Sequence, residues 1–253
     1  MKRAAVFLLI ILTAFCMACC DKDSDAVDTQ KATPAQESLP TDNSGTLTND
    51  LSFDFSDAVP TGAAMIDDFG VIPQLPELPT GCEVTSLAMV LNYYGIAADK
   101  CDIADHYLEK GEVGKVDFRD AFEGDPRDEA SFGCYAPVIV KAANSYLKAK
   151  GSYMQAKDVT GAEFEQLLTC IDSGIPVIVW GTVDCETPVN QTTWKVDGKE
   201  LKWYSPEHCM VLVGYNDHQV TVADPLKGEK RSFDRDLFKS RFYALFQQAI
   251  ILE

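Results

Sequence analysis

The apolar residues of this chain change their spacing once, near residue 175, and that change decides the fold class. Before it they recur at helical intervals. Val84, Leu87, Ala88 and Leu91 share one face of a helix expected over 85–94, which Gly95 ends. Further helices are expected over 102–109, over 137–149 with Pro137 at the start, and over 161–171. Between them, 111–136 carries Gly111, Gly114, Gly124, Pro126 and Gly133 and reads as a long loop, a feature that usually serves function in a compact domain. After residue 175 the apolar runs shorten to strand length. A buried strand is expected over 175–182. Two hairpins follow, 192–196 with 199–203 around Asp197-Gly198, and 209–215 with 220–223 around Asn216-Asp217. A strand over 230–233, a helix over 235–245 capped by Asp234, and a strand over 249–252 complete the reading. Helices first and antiparallel strands afterwards make an α+β fold, N-terminal helices packed on a C-terminal antiparallel sheet. No internal repeat is visible.

The N-terminus reads as a targeting segment. Met1, Lys2 and Arg3 are followed by an apolar run from Ala4 to Phe15, too short to span a bilayer but suited to the core of a secretory signal. Cys16-Met17-Ala18-Cys19 then resembles a lipobox, although Cys16 stands where Leu is usual. Residues 1–19 are therefore read as a lipoprotein signal peptide with Cys19 as the lipidated residue; an ordinary cleaved signal peptide and an uncleaved anchor stay open. Residues 20–58 are rich in Asp, Ser, Thr, Pro and Gln and poor in apolar residues, which fits a disordered acidic tether. Asp21, Asp23 and Asp25 start like a calcium loop, but Ala26 and Ala32 stand where Gly and Glu are needed. The folded domain is assigned to 59–253. These features place the protein outside the cytoplasm, anchored to a bacterial cell membrane by lipid.

A formal charge of −17 argues against nucleic acid as a partner. It fits plain solubility, and it also fits a preference for basic substrates. Five of the nine cysteines, Cys101, Cys134, Cys170, Cys185 and Cys209, leave room for one or two disulfides, whose pairing the sequence does not give. Cys209 is expected in the core. The usual zinc-hydrolase, serine-hydrolase and phosphate-loop patterns are absent, and no cofactor or metal is expected.

Four residues carry candidate chemistry. Cys82 stands after Gly81 where the first helix begins; unpaired N–H groups and the helix dipole there favour thiolate. A buried structural cysteine is the plain alternative. Of three histidines, His106 and His218 lie at polar positions, whereas His208 opens an apolar strand and needs a buried partner. A hairpin centred near Asn216 puts His208 directly across from Asp224, a carboxylate able to orient the imidazole. Gln74, eight residues before Cys82, could complete an oxyanion hole with the cysteine's own N–H.

The order Gln, Cys, His, Asp, with Cys at a helix start after Gly, resembles the papain-like cysteine peptidases. Within these it resembles the double-glycine leader (bacteriocin-processing) peptidase family, and especially its standalone exported relatives. The resemblance rests on IPQLPELPTGCEVTSLAMVLNYYG at 72–95, GDPRDEASFGCYAPVI at 124–139, GIPVIVWGT at 174–182, EHCMVLVGYND at 207–217 and VTVADPLKG at 220–228. It implies Cys82 as nucleophile, His208 as general base, Asp224 as orienting acid and Gln74 as oxyanion donor. The implied activity is hydrolysis of peptide or isopeptide bonds in a peptide or protein substrate. Leader cleavage does not carry over, because those peptidases are fused to a transporter on the cytoplasmic side. An idle papain-like scaffold and a thiol acyltransferase are the alternatives. Trp180, Trp194, Trp203 and Tyr204 are either half-buried packing or a wall of the substrate cleft.

Overall fold

The structure, a computed structural model, describes residues 59–253. The signal segment, Cys19 and the 20–58 tether lie outside the described residues. In chain order the elements are β1 (Ala64–Met65), α1 (Cys82–Tyr93), α2 (Lys100–His106), β2 (Lys110–Gly111), β3 (Phe122–Glu123), α3 (Ala136–Ala149), β4 (Ala156–Asp158) and α4 (Phe164–Asp172). Then come β5 (Val177–Thr182), β6 (Val189–Val196), β7 (Lys199–Ser205), β8 (Glu207–Tyr215), β9 (Gln219–Asp224), β10 (Glu229–Asp234), α5 (Arg235–Ala244) and β11 (Ala249–Leu252). The main sheet runs β10-β9-β8-β5-β11-β4, with β1 added to the far end of β8. Every pairing in it is antiparallel, so the fold is α+β as expected. Among the described residues no helix is long and apolar enough to cross a membrane.

Helix α1 is the axis of the core. Residues from Cys82 to Leu91 are all buried, because it is covered by the sheet on one side and by α2 and α3 on the other. A helix buried all round must be apolar all round, and Val84, Leu87, Ala88, Val90 and Leu91 are each fully buried. Truncating one of its leucines to Ala should cost about 2–5 kcal/mol. The helix begins at Cys82, three residues earlier than its apolar face suggests: Gly81 O accepts both Thr85 N–H at 3.1 Å and Thr85 Oγ1 at 2.7 Å. Gly81 itself is required by packing. A Cβ there would stand 2.7 Å from Leu78 Cβ and 3.2 Å from Pro126 Cβ.

Other departures have local causes. Helix α2 starts at Lys100, not near 102, since Asp99 caps it by accepting Cys101 N–H at 2.7 Å and Asp102 N–H at 3.0 Å. The 111–136 stretch is not loop throughout; it holds β3 of a short parallel pair, β2 with β3. The edge strand β4 has three residues, too few to show a period. The β6–β7 hairpin is as expected, with Asp197 at φ 49° and Gly198 at φ 81° forming the turn. The β8–β9 turn sits later than expected. Asn216 N–H donates to Gln219 O at 2.8 Å, and Asp217 and His218 form the tip. All six cysteines among the described residues are free thiols, so none of the disulfides allowed by sequence forms between them.

Candidate active site

Strand β8 pairs with β5 along its first six residues, from Glu207 opposite Thr182 to Leu212 opposite Val177. Its ladder to β9 starts only at Val211, opposite Ala223, and is interrupted by a bulge between Leu212 and Gly214. The two strands therefore part at the start of β8 and the end of β9. Pro225, just past β9, gives its carbonyl to Gln74 N–H at 2.8 Å, so the loop before α1 enters the gap. The N-terminus of α1 fills the rest. Trp180, opposite Cys209, sends its own N–H away to Gln248 O, so the Cys209 backbone groups face the gap. There Cys209 N–H donates to Cys82 Sγ at 3.4 Å, and Cys209 O accepts from Ser86 Oγ at 3.3 Å. Side chains of α1 thus satisfy backbone groups that the departing strand leaves open.

The late turn and the bulge correct the expected register. The next step of the ladder puts Met210, not His208, across from Asp224. His208 reaches Asp224 on the diagonal, two residues along the same face. The contact is still made: His208 Nε2 lies 2.8 Å from Asp224 Oδ1, with both side chains buried. Asp224 Oδ1 also accepts Leu226 N–H at 2.9 Å and Lys227 N–H at 3.3 Å, and Oδ2 accepts from Arg231 at 3.1 Å. Arg231 in turn is held by Asp184 at 2.7 Å. Burial raises the Asp224 pKa, but the His208 hydrogen bond and charge, with Arg231 and the Lys227 N–H, outweigh it and hold the carboxyl at about 2. An ionised carboxylate only accepts hydrogen bonds, so in the neutral imidazole Nε2 of His208 carries the proton and Nδ1 is the acceptor.

Cys82 departs from expectation. Its thiol donates to Glu83 Oε2 at 3.3 Å, and no hydrogen bond to His208 is formed. Glu83 is fully buried, and its Oε1 accepts Cys134 N–H at 2.8 Å. The Glu207 carboxylate is close by: one donor atom from each of Cys82, Glu83 and Glu207 lies within 4.8 Å of the other two. Burial first, then the Glu83 and Glu207 charges, push the Cys82 thiol well above its ordinary range, and the Cys209 N–H offsets only part of this. The thiolate expected from the helix start is not favoured here, because burial first, and then the buried Glu83 and the half-buried Glu207, oppose the dipole. Burial lifts Glu83 to about 7, and burial together with Glu83 lifts Glu207 well above the carboxyl range. Thiol and carboxylates at this spacing could hold a metal ion such as zinc, which would tie up the Cys82 sulfur.

Gln74 is buried, with Nε2 donating to Pro79 O at 2.8 Å and Oε1 unpartnered. Its second amide hydrogen remains for an oxyanion. Lys100 ties the loop by donating to Pro73 O, to Gln74 O at 2.9 Å and to Glu77 at 2.9 Å. Beside the site opens a cleft of about 370 Å³ lined by Glu129, Phe132, Gln191, Trp203 and Glu207. Trp203 both packs on Tyr135, at 5.8 Å between rings, and lines the cleft. Trp180 is fully buried, its indole N–H on Cys134 O, and is core. Trp194 packs against Phe118 and Phe132, and Tyr204 against Phe246. Cys209 is buried, as expected. His106 and His218 are exposed.

Residues 66–250 match the model of the Peptidase_C39 like family. The chain belongs to that family. YvpB of Bacillus subtilis (strain 168) is 32% identical over 182 residues, spanning 70% of this chain and 71% of its own. A crystal structure described as a C39-like peptidase from Bacillus anthracis is 30% identical, with a TM-score of 0.67 over 76% of this chain and 97% of that one. The peptidase domain of Streptococcus ComA is 18% identical, with a TM-score of 0.41 over 73% of this chain and 97% of that domain. The C39-like fold and family support a function of the peptidase type. Sequence reasoning missed Glu83, Glu207 and Arg231. The signal for the first two was available: each stands next to a candidate catalytic residue, Glu83 after Cys82 and Glu207 before His208.

Proposed function

We propose that this C39-like chain is a thiol hydrolase of peptide or isopeptide bonds, with Cys82 as nucleophile, His208 as base, Asp224 as orienting acid and Gln74 as oxyanion donor. The buried His208–Asp224 pair at 2.8 Å carries this reading, because it leaves Nδ1 as the bare imidazole nitrogen beside the strand end where the sulfur sits. Cys82 turns about χ1 from Glu83 toward His208 and gives its proton to Nδ1. The thiolate attacks the carbonyl carbon, and the new oxyanion meets the Cys82 N–H and the spare Gln74 amide hydrogen. His208 then protonates the departing amine, leaving a thioester. Water, deprotonated by the same nitrogen, attacks the thioester, and the thiol is restored with release of the acid.

A blind peptide and isopeptide library presented to the full chain tests this. Cleavage should fall by about a thousandfold or more in Cys82→Ala and in His208→Ala, and the double variant should be no worse than either single one. Cleavage that survives either change would remove the residue from its role. The second reading, a papain-like binding protein with an idle site, is favoured by one observation: Glu83 holds the thiol hydrogen. No cleavage of any library member would select it.

On sequence grounds alone, we place the protein outside the cytoplasm, anchored to the bacterial membrane through a diacylglyceryl group on Cys19. The folded part is then 59–253, with 20–58 as its tether. Mass spectrometry of the mature N-terminus decides this; an unmodified N-terminus elsewhere would make the protein simply secreted.

A further inference from the structure

The acid pair next to Cys82 is built like a receptor and lacks its ligand. Glu83 and Glu207 reach each other from α1 and β8, and Gly133 keeps the space around them clear. A Cβ on Gly133 would stand 2.5 Å from Glu83 Oε1 and 3.4 Å from Glu207 Oε2. Both oxygens of Glu83 are engaged, by Cys134 N–H and by the Cys82 thiol. Glu207 Oε1 is buried with no hydrogen-bond partner. So is the hydroxyl of Tyr135, a residue only 2% exposed and near enough to Glu207 for that carboxylate to oppose its ionisation. Among the described residues no Lys or Arg is paired with either glutamate. A buried acid and a half-buried one without a counter-cation, and two orphaned buried oxygens, cost free energy that a donor-rich cation would recover. The way in is the cleft lined by Glu207 and Glu129, with Trp203 and Phe132 as aromatic walls suited to a cationic side chain.

We propose that Glu83, Glu207 and the Tyr135 hydroxyl form a cation subsite beside Cys82 that receives an ammonium or guanidinium group of the substrate, carried by the residue next to the bond cleaved. The place of the cation next to a cleaved bond rests on the hydrolase reading; its binding at the subsite does not. An ammonium group brings three donors and no acceptor, which matches Glu207 Oε1 and the Tyr135 oxygen.

Equilibrium binding to the full chain, in EDTA to keep metal off the same donors, tests the subsite. The probes are fluorescent tripeptide amides Ala-Xaa-Ala, with Xaa Lys, Arg, norleucine or Glu, each with an acetylated and a free N-terminus. Lys and Arg peptides should bind about tenfold or more tightly than norleucine, the scale of one charged hydrogen bond. Glu207→Gln should reduce that ratio to near one, and Tyr135→Phe should reduce it in part. A gain from the free N-terminus whatever Xaa is would assign the site to an α-ammonium rather than a side chain. Equal or undetectable binding of the cationic probes, or a preference unchanged in Glu207→Gln, overturns the proposal. Library cleavage without a basic preference would sink the subsite and leave the hydrolase reading; a basic binding preference without cleavage would do the reverse.

Discussion

Two adjacent residues at the start of β8, Glu207 and His208, head opposite electrostatic designs. His208 joins a settled group: Asp224 accepts from the imidazole, two backbone N–H groups and Arg231, and its charge is answered on every side. Glu207 joins an unsettled one, in which the Glu83 charge opposes its ionisation and two buried oxygens lack partners. One side is preorganised without substrate and the other is unbalanced without it. The lesson is that preorganisation in this site is divided: the proposed base is locked, while the proposed nucleophile lies beside acids that oppose its ionisation.

The contrast predicts opposite responses to pH and to mutation. The largest effect should come from Asp224→Ala, which strands a buried His208 and Arg231; it should cost about 3–5 kcal/mol in urea unfolding. A loss below about 1 kcal/mol would mean the settled side is not settled.

The pH dependence of stability separates the two sides by sign. Asp224 has its pKa lowered from 3.8 to about 2, so its contribution, about 2 kcal/mol, is present above pH 3.8 and lost as pH falls through 2. Glu83 has its pKa raised from 4.5 to about 7, so its contribution is present below pH 4.5 and lost as pH rises through 7. Urea midpoints should therefore decline on both flanks, and Glu83→Gln should flatten the decline between pH 4.5 and 7 while leaving the acid limb alone. A profile unchanged by Glu83→Gln would break the contrast.

Thiol reactivity offers a smaller and more local measure. At pH 7 without substrate, Cys82 should react with iodoacetamide slower than a free cysteine, because its thiol is buried and faces two acids. Above the pH at which Glu207 ionises, Glu207→Gln removes one of them and should speed labelling several-fold, read by peptide mass mapping. Faster labelling of wild-type Cys82 than of the partly exposed Cys101 would restore the low-pKa nucleophile that the helix start alone suggests. The smallest effect is expected from Arg231→Gln. Arg231 is partly exposed and is one of several donors to Asp224, so about 1 kcal/mol should be lost, with the acid limb moving to higher pH.

The sequence carried the architecture because the period of its apolar residues changes where helices give way to strands. The candidate site was legible where one residue needed one partner. His208 opening a buried strand required an acid, and Asp224 supplies it, although by a diagonal and not the opposed pairing expected. A one-residue bulge at Val213 and a turn tip at Asp217-His218 leave little mark in the alternation of strands buried on both faces. The acid pair was not legible, because Glu83 reads as a favourable first-turn residue of α1 and Glu207 as a polar strand start. Only the parting of β8 from β9 brings them to one sulfur. The sequence places Gly81 before Cys82 but does not show why glycine is needed there: Leu78 and Pro126, brought against it by the fold, leave no room for a side chain.

The hydrogen bond from Cys209 N–H to Cys82 Sγ gives the molecule a spectroscopic handle on its own chemistry. That amide belongs to the rigid sheet, yet its acceptor is the atom that the proposed reaction ionises, acylates and releases. A thiolate would pull the amide resonance downfield, and an acylated sulfur, a poorer acceptor, would let it drift back and exchange with solvent sooner. One backbone signal could thus follow the sulfur through a turnover, with no label on the substrate.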